Sequence, residues 1–101
     1  MTPARWEQAR AVLRRISTAR WPLVALQIVD GEIRLVTRAE LVRELLVLGP
    51  DLQKAIKLAP PRPRRVLVWQ VTELGAELVE IDAHKTGAVR TLYSNFERAT
   101  A

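Results

Sequence analysis

The sequence predicts an α+β domain that is mostly helical, and three observations support this prediction. The stretch from Thr37 to Pro60 has the pattern of two short helices joined by a tight turn. A basic, proline-rich segment follows it, and the apolar run 66–72 is typical of a β-strand. With 101 residues, of which 49% are hydrophobic, the chain is long enough to bury a core without disulfides. We therefore expect one domain over residues 1–101.

The first predicted element is a helix that begins at Pro3, because proline is favoured in the first helical turn. Between Ala4 and Ala19, apolar residues recur every three or four positions, which is the spacing of an amphipathic helix. The apolar stripe contains Trp6, Ala9, Val12, Leu13 and Ile16. The other faces carry mostly arginine, which we expect to be solvated.

The stretch from Trp21 to Val36 has two interpretations. In one, residues 23–29 form a helix and residues 33–36 a short strand. In the other, residues 24–29 and 32–37 form a β-hairpin across Asp30-Gly31, a dipeptide that strongly favours a hairpin turn. The apolar run at residues 23–26 does not alternate, so the period alone leaves both open.

The two short helices have clear boundary signals. Thr37 and Glu40 have the spacing of a capping box, which predicts the start of the first helix. Gly49-Pro50 predicts its end and the start of the second helix. Leucines at helical spacing predict the buried face of the first helix, and Leu52 and Ile56 predict that of the second.

Residues beyond the predicted strand 66–72 favour another helix. Glu73, Glu77, Glu80 and His84 recur at helical spacing, and apolar residues recur on the opposite side. We therefore expect a helix over 73–84, capped by Thr72. Residues 88–96 are predicted to form a final strand or extended arm.

The stretch from Arg38 to Ile81 resembles the DNA-binding core of winged helix-turn-helix transcription regulators of the MarR and HxlR type. The matching residues are Arg38-Ala39-Glu40-Leu41-Val42-Arg43-Glu44-Leu45-Leu46, then Leu52-Gln53-Lys54-Ala55-Ile56, then Val68-Trp69-Gln70-Val71-Thr72-Glu73-Leu74-Gly75-Ala76-Glu77-Leu78. The resemblance implies a helix-turn-helix over 38–58, a basic arm and wing strand over 61–72, and a closing helix over 73–84. One wing strand of the usual two is missing, because only Pro60–Pro63 and two arginines precede Val66.

The resemblance implies a small DNA-binding protein that places helix 51–59 in the major groove of double-stranded DNA. It implies a homodimeric transcription regulator, or a plasmid- or virus-type DNA-binding factor, with the helices 3–19 and 73–84 at the dimer interface. Gln53 is expected to contact adenine, and Lys54 guanine or phosphate. The expected DNA-binding residues are Arg38, Arg43, Gln53, Lys54, Lys57, Arg62, Arg64 and Arg65.

An alternative prediction takes the Asp30-Gly31 hairpin literally and treats residues 78–82 as a strand. The element order is then α-β-β-α-β-β-β, which resembles roadblock-type dimerisation domains without their final helix. That resemblance implies a non-enzymatic protein-interaction module, in which residues 62–65 form an ordinary loop.

Composition narrows the class of function. The net charge of +5 and the sequence pI of 10.7 favour an anionic partner such as nucleic acid. The chain has no cysteine and one histidine, His84, and it lacks a glycine-rich phosphate loop. We therefore expect no enzymatic activity, catalytic residues, cofactor, metal or small-molecule ligand. No apolar run approaches the about 20 residues that span a bilayer, and no signal-peptide pattern is present, so we expect a cytoplasmic protein.

Overall fold

The protein forms a five-stranded mixed sheet with helices on both faces. A computed structural model describes residues 3–82 and 89–95. Its elements are α1 (Pro3–Arg14), a 3-10 helix (Thr18–Leu23), β1 (Val24–Val29), β2 (Glu32–Thr37), α2 (Arg38–Leu46), α3 (Pro50–Lys57), β3 (Arg65–Thr72), β4 (Gly75–Asp82) and β5 (Val89–Ser94). The strand order is β2-β1-β3-β4-β5, in which β1 and β3 are parallel and the other neighbours antiparallel.

This architecture corrects the predicted fold. The α+β class is confirmed, but the mostly helical winged helix-turn-helix is wrong, because the sheet is as large a part of the fold as the helices. The element order is that of the alternative prediction, with two helices where that prediction has one. The helix α1 ends at Arg14 instead of Ala19, because a separate 3-10 helix (Thr18–Leu23) precedes β1.

The β1–β2 hairpin settles the ambiguous stretch in favour of strands. Val29 and Glu32 are paired across the two-residue loop Asp30-Gly31. Asp30 has φ 51° and Gly31 has φ 85°, and positive φ at both positions is the mark of a type I′ turn. The apolar run that obscured the alternation belongs to β1, whose first five residues are all buried. A strand covered on both faces has no polar side to alternate with.

β4 corrects the prediction of a helix over 73–84. The residues up to Asp82 form a turn and a strand, and the rest of that range, including His84, lies outside the described residues. Thr72, expected to cap the helix, is the last residue of β3 and pairs with Gly75 across a two-residue loop.

Two buried carboxylates explain why the spacing misled the prediction. Glu77 and Glu80 were interpreted as one solvated face of a helix, yet they lie on opposite faces of β4 and are 8% and 3% exposed. Helices cover both faces of the sheet, so β4 has no regular polar side. The predicted strand 66–72 and the two helices after Thr37 are confirmed, with small changes in their bounds. The predicted strand 88–96 is confirmed as β5, and its first and last residues lie outside the described part of the chain.

Two apolar cores lie on the two sides of the sheet. The α1-side core contains Ala9, Leu13, Trp21, Val24, Leu26, Ile28, Val66, Val68, Val79 and Ile81. The Trp21 indole is 1% exposed, and its Nε1–H donates to the carbonyl of Leu13 at 3.1 Å. This hydrogen bond joins the 3-10 helix to α1.

The second core, the α2/α3-side core, holds the helix pair on the sheet. It contains Ala25, Leu41, Leu45, Leu52, Ala55, Ala59, Leu67, Trp69 and Leu78. The Trp69 and Tyr93 rings have centroids 6.3 Å apart, a separation typical of favourable aromatic pairs. α2 lies over β1 and β2, whereas α3 lies towards β5. The packing therefore fixes which sides of α2 and α3 face solvent.

A polar pair lies within the sheet on the α1 side. Gln70 of β3 and Glu77 of β4 face each other across the strands, and both side chains are at least nine-tenths buried. Burial raises the pKa of the Glu77 carboxyl, because the charged form loses solvation. The folded state therefore binds the Glu77 proton more tightly than the unfolded chain does.

We expect Glu77→Gln to stabilise the protein at pH 8 relative to the wild type, but not at pH 4. With a raised pKa in the folded state, the contribution of Glu77 to stability is full below its ordinary value of 4.5 and is lost as pH rises through the folded pKa. The glutamine amide does not ionise, so the variant keeps this stability at pH 8. The free energy of unfolding in urea, measured across this range, checks it, with exposed Glu73→Gln as the control. A stability difference between wild type and Glu77→Gln that does not change with pH contradicts this role.

Candidate nucleic-acid interface

The helix-turn-helix segment begins at a well-formed cap. The Glu40 backbone N–H donates to the Thr37 hydroxyl at 3.1 Å, so Thr37 is the N-cap that the sequence predicts. The turn ends at Gly49, whose φ of 146° suits glycine, and Pro50 is the first residue of α3. The two helices 38–46 and 50–57 are therefore present, but they pack on a sheet instead of on further helices.

The helix α3 is strongly two-sided. Leu52 and Ala55 are buried against the sheet, whereas Gln53, Lys54 and Lys57 are exposed. Asp51 is also exposed, in the first turn, and the two lysines lie in the last turn. This polarity follows the helix dipole, which favours an acidic side chain at the start and basic ones at the end. The positive charge of α3 is thus concentrated at its C-terminal end.

The loop between α3 and β3 continues that charge. Arg62 and Arg64 are exposed, and the Arg65 N–H donates to the Arg62 carbonyl at 3.2 Å, which closes a turn. Arg64 has φ 67°, a left-handed conformation that this turn requires. Arg65 is half-buried at the start of β3, where its position in the sheet is opposite that of the buried Asp82 on β4. We call Lys54, Lys57, Arg62 and Arg64 the basic segment.

The two predicted DNA-binding residues on α2 differ in exposure. Arg43 is exposed on α2, as a surface contact requires. Arg38 is half-buried, and its Nη2 donates to the carbonyl of Ala59. Burial lowers the pKa of Arg38, while the charge of Glu80 opposes that effect. Arg38 therefore ties the start of α2 to the end of the α3 segment and compensates a carboxylate beneath the helices.

The sequence did not predict that the carboxylate of Glu80 is buried beneath α2 and α3. Glu80 is 3% exposed and faces the α2/α3 side, beside Leu67 of β3. The available signal was the strand-forming run 66–72 followed by a short turn that ends at Gly75. This order favours a hairpin with a partner strand at 75–82 over a helix. Gln27 on the same face donates to the carboxylate of Glu44 on α2, which ties that helix to β1.

The hairpin after α3 differs from the wing that the resemblance implies. Its tip consists of Glu73 and Leu74, both exposed. An acidic and apolar tip does not suit contact with phosphates. The basic residues lie at the opposite end of β3, where that strand begins.

Other site types find no counterpart in the part of the chain that the structure describes. No group of His, Cys, Asp or Glu side chains there could hold a metal ion. None of the helices described is long and apolar enough to cross a membrane. His84, the single histidine of the sequence, lies outside the described residues.

Comparisons with known proteins add no relative. No family model, no curated protein and no solved structure matches the chain. A function can therefore be inferred only from the residues of this chain and their arrangement.

Arg38→Met is expected to lower the free energy of unfolding by about 1–3 kcal/mol, because it leaves the Ala59 carbonyl and the Glu80 carboxylate without their cationic partner. Urea denaturation measures the change. Arg43→Met, on the exposed side of the same helix, is the matched control and should change stability by less than about 0.5 kcal/mol. Equal stability of the two variants contradicts a structural role for Arg38.

Proposed function

We propose that the protein binds double-stranded DNA through phosphate contacts from the basic segment. One observation carries the proposal: the chain from Leu52 to Thr72 contains five basic residues and no acidic residue. Four of the five, which form the basic segment, are exposed. A run of exposed cations on one helix end and the loop after it suits the regularly spaced charges of a nucleic-acid backbone.

The arrangement of charge sets the orientation of the proposed complex. Asp51 lies at the start of α3 and Glu73 at the far end of the β3–β4 hairpin. Both carboxylates would repel DNA phosphates, so in the proposed complex the opposite end of the molecule contacts the DNA. There the last turn of α3 and the loop 58–64 present lysine and arginine, and arginine can contact a phosphate with two N–H groups at once.

Sequence-specific contacts are a further part of the proposal. The major groove is wide enough for an α-helix, and Gln53 is exposed beside Lys54 on α3. A glutamine can donate to and accept from the edge of adenine. In this proposal the basic segment supplies affinity, Gln53 supplies base contacts, and the protein acts in the cytoplasm as a DNA-binding regulator.

A protein-interaction module is the second candidate. Two observations favour it: the element order is that of the alternative prediction, and the last residue of α2 and the turn after it expose three apolar side chains. These are Leu46, Val47 and Leu48, which are 42%, 80% and 61% exposed. Exposed apolar patches of this kind are typical of contact surfaces between proteins. Under this alternative, the basic segment is a solvated surface.

Fluorescence anisotropy with a labelled random-sequence duplex tests the DNA proposal. With four phosphates neutralised, the slope of log affinity against log salt is expected to be about −3.6, so affinity falls roughly 150-fold from 50 to 200 mM salt. Lys54→Gln/Lys57→Gln should roughly halve the slope, because it removes two of the four cations of the basic segment.

The matched control for this experiment is Arg14→Gln/Arg15→Gln. It removes the same charge from exposed positions at the end of α1, on the other side of the sheet. Its affinity and salt slope should stay close to those of the wild type. Equal losses in the two double variants would show only non-specific attraction to a basic protein and would contradict the assigned site. No binding by the folded wild type at 50 mM salt favours the protein-interaction alternative.

A further inference from the structure

The strand β2 has an outer edge that no described residue pairs with. β2 stands at the end of the strand order and bonds only to β1. It contains neither lysine nor proline, two residues that commonly protect exposed strand edges from pairing. Leu35, in the middle of this edge, is 43% exposed. Among the described residues, no strand therefore occupies this edge.

The turn geometry determines which backbone groups point outwards. In the type I′ turn, Val29 and Glu32 bond to each other, and bonded and non-bonded pairs then alternate along the hairpin. Glu32, Arg34 and Val36 accordingly direct their N–H and C=O groups towards β1. The groups of Ile33 and Leu35 point away from it and are the ones available to a new strand.

A second copy of the chain fits this edge in one register better than in the adjacent one. When two identical strands pair antiparallel about a two-fold axis, opposing residues lie on the same face of the sheet. With the axis at Arg34, two arginines oppose each other, which is destabilising. With the axis at Ile33, each Glu32 opposes an Arg34, and the two isoleucines oppose each other.

We propose that two copies of the protein associate through antiparallel pairing of β2 about a two-fold axis at Ile33. The outward N–H and C=O groups of Ile33 bond across the axis. Glu32 and Arg34 of each copy form two oppositely charged cross-strand pairs, and both side chains are exposed in the single chain. Gly31 belongs to the turn, so the pairing about this axis spans residues 32–34 of each copy.

This interface replaces the dimer interface that the sequence suggested. The helix expected over 73–84 is in fact strand β4 up to Asp82, and the described part of β4 is an inner strand of the sheet. The β2 edge is on the outside of the sheet, and the proposal does not depend on nucleic-acid binding. Because only residues 32–34 of each β2 oppose one another, the pairing buries less area than a standard interface, so we expect a dissociation constant in the micromolar range or weaker.

Sedimentation velocity over a range of concentrations, at low salt, tests the pairing. The wild type should shift from monomer to dimer as concentration rises. Arg34→Glu and Glu32→Arg should each weaken the dimer tenfold or more, because each places like charges opposite one another. The double variant Glu32→Arg/Arg34→Glu should restore it, because the swapped charges again oppose each other across the axis.

Mixing the two single variants supplies a second test. One chain then carries two arginines and the other two glutamates, so the mixture should form a heterodimer more readily than either variant dimerises alone. Thermal unfolding of each variant controls for loss of the fold. A wild type that remains monomeric at the highest soluble concentration overturns the proposal. So does a dimer that the single substitutions leave unchanged, or one that the double variant fails to restore.

Discussion

The parallel pairing of β1 with β3 determines the path of the chain between them and, through it, the position of α2 and α3. Two parallel strands cannot be joined by a tight turn, so the chain between them must cross from one end of the sheet to the other. β2 and the pair α2–α3 make that crossing. The helix pair returns over the face that β1 and β3 share and buries Leu41, Leu45 and Leu52 against it. The same path puts the end of α3 and the basic loop beside the start of β3.

Because of this path, the two helices are part of a three-layer arrangement. Their inner sides are fixed by the sheet, and the polar contacts beneath them add to this attachment: Gln27 bonds to Glu44, and Arg38 bonds to the Ala59 carbonyl. The outer side of α3 and the loop 58–64 keep their lysines and arginines exposed, so these cations are accessible to a partner. A local sequence pattern for two helices thus determines the presence of the helices, while the sheet determines which of their charges are accessible.

Local signals predicted much of the fold. The Thr37 cap, the Gly49-Pro50 boundary and the β-branched run of β3 each depend on neighbouring residues, and the structure has the elements that they predict. β4 was not predictable in the same way, because Glu77 and Glu80 are buried only once β3 and the helices are in place. The exposure of Lys54 and Lys57 follows from the helical period, whereas the burial of Arg38 depends on contacts with distant residues. The exposed residues of the predicted site could therefore be identified from the sequence, whereas the structural role of Arg38 could not.

In the proposed complex, DNA contacts the end of α3 and the loop after it. An NMR titration of labelled protein with a short duplex tests it most directly, because each backbone amide reports its own environment. We expect chemical-shift changes to concentrate at residues 53–58 and at 62, 64 and 65, with the amides of α1 and of the 73–74 turn unchanged. Shift changes centred on α1, or on the exposed apolar residues 46–48 with none in the basic segment, would rule out this site.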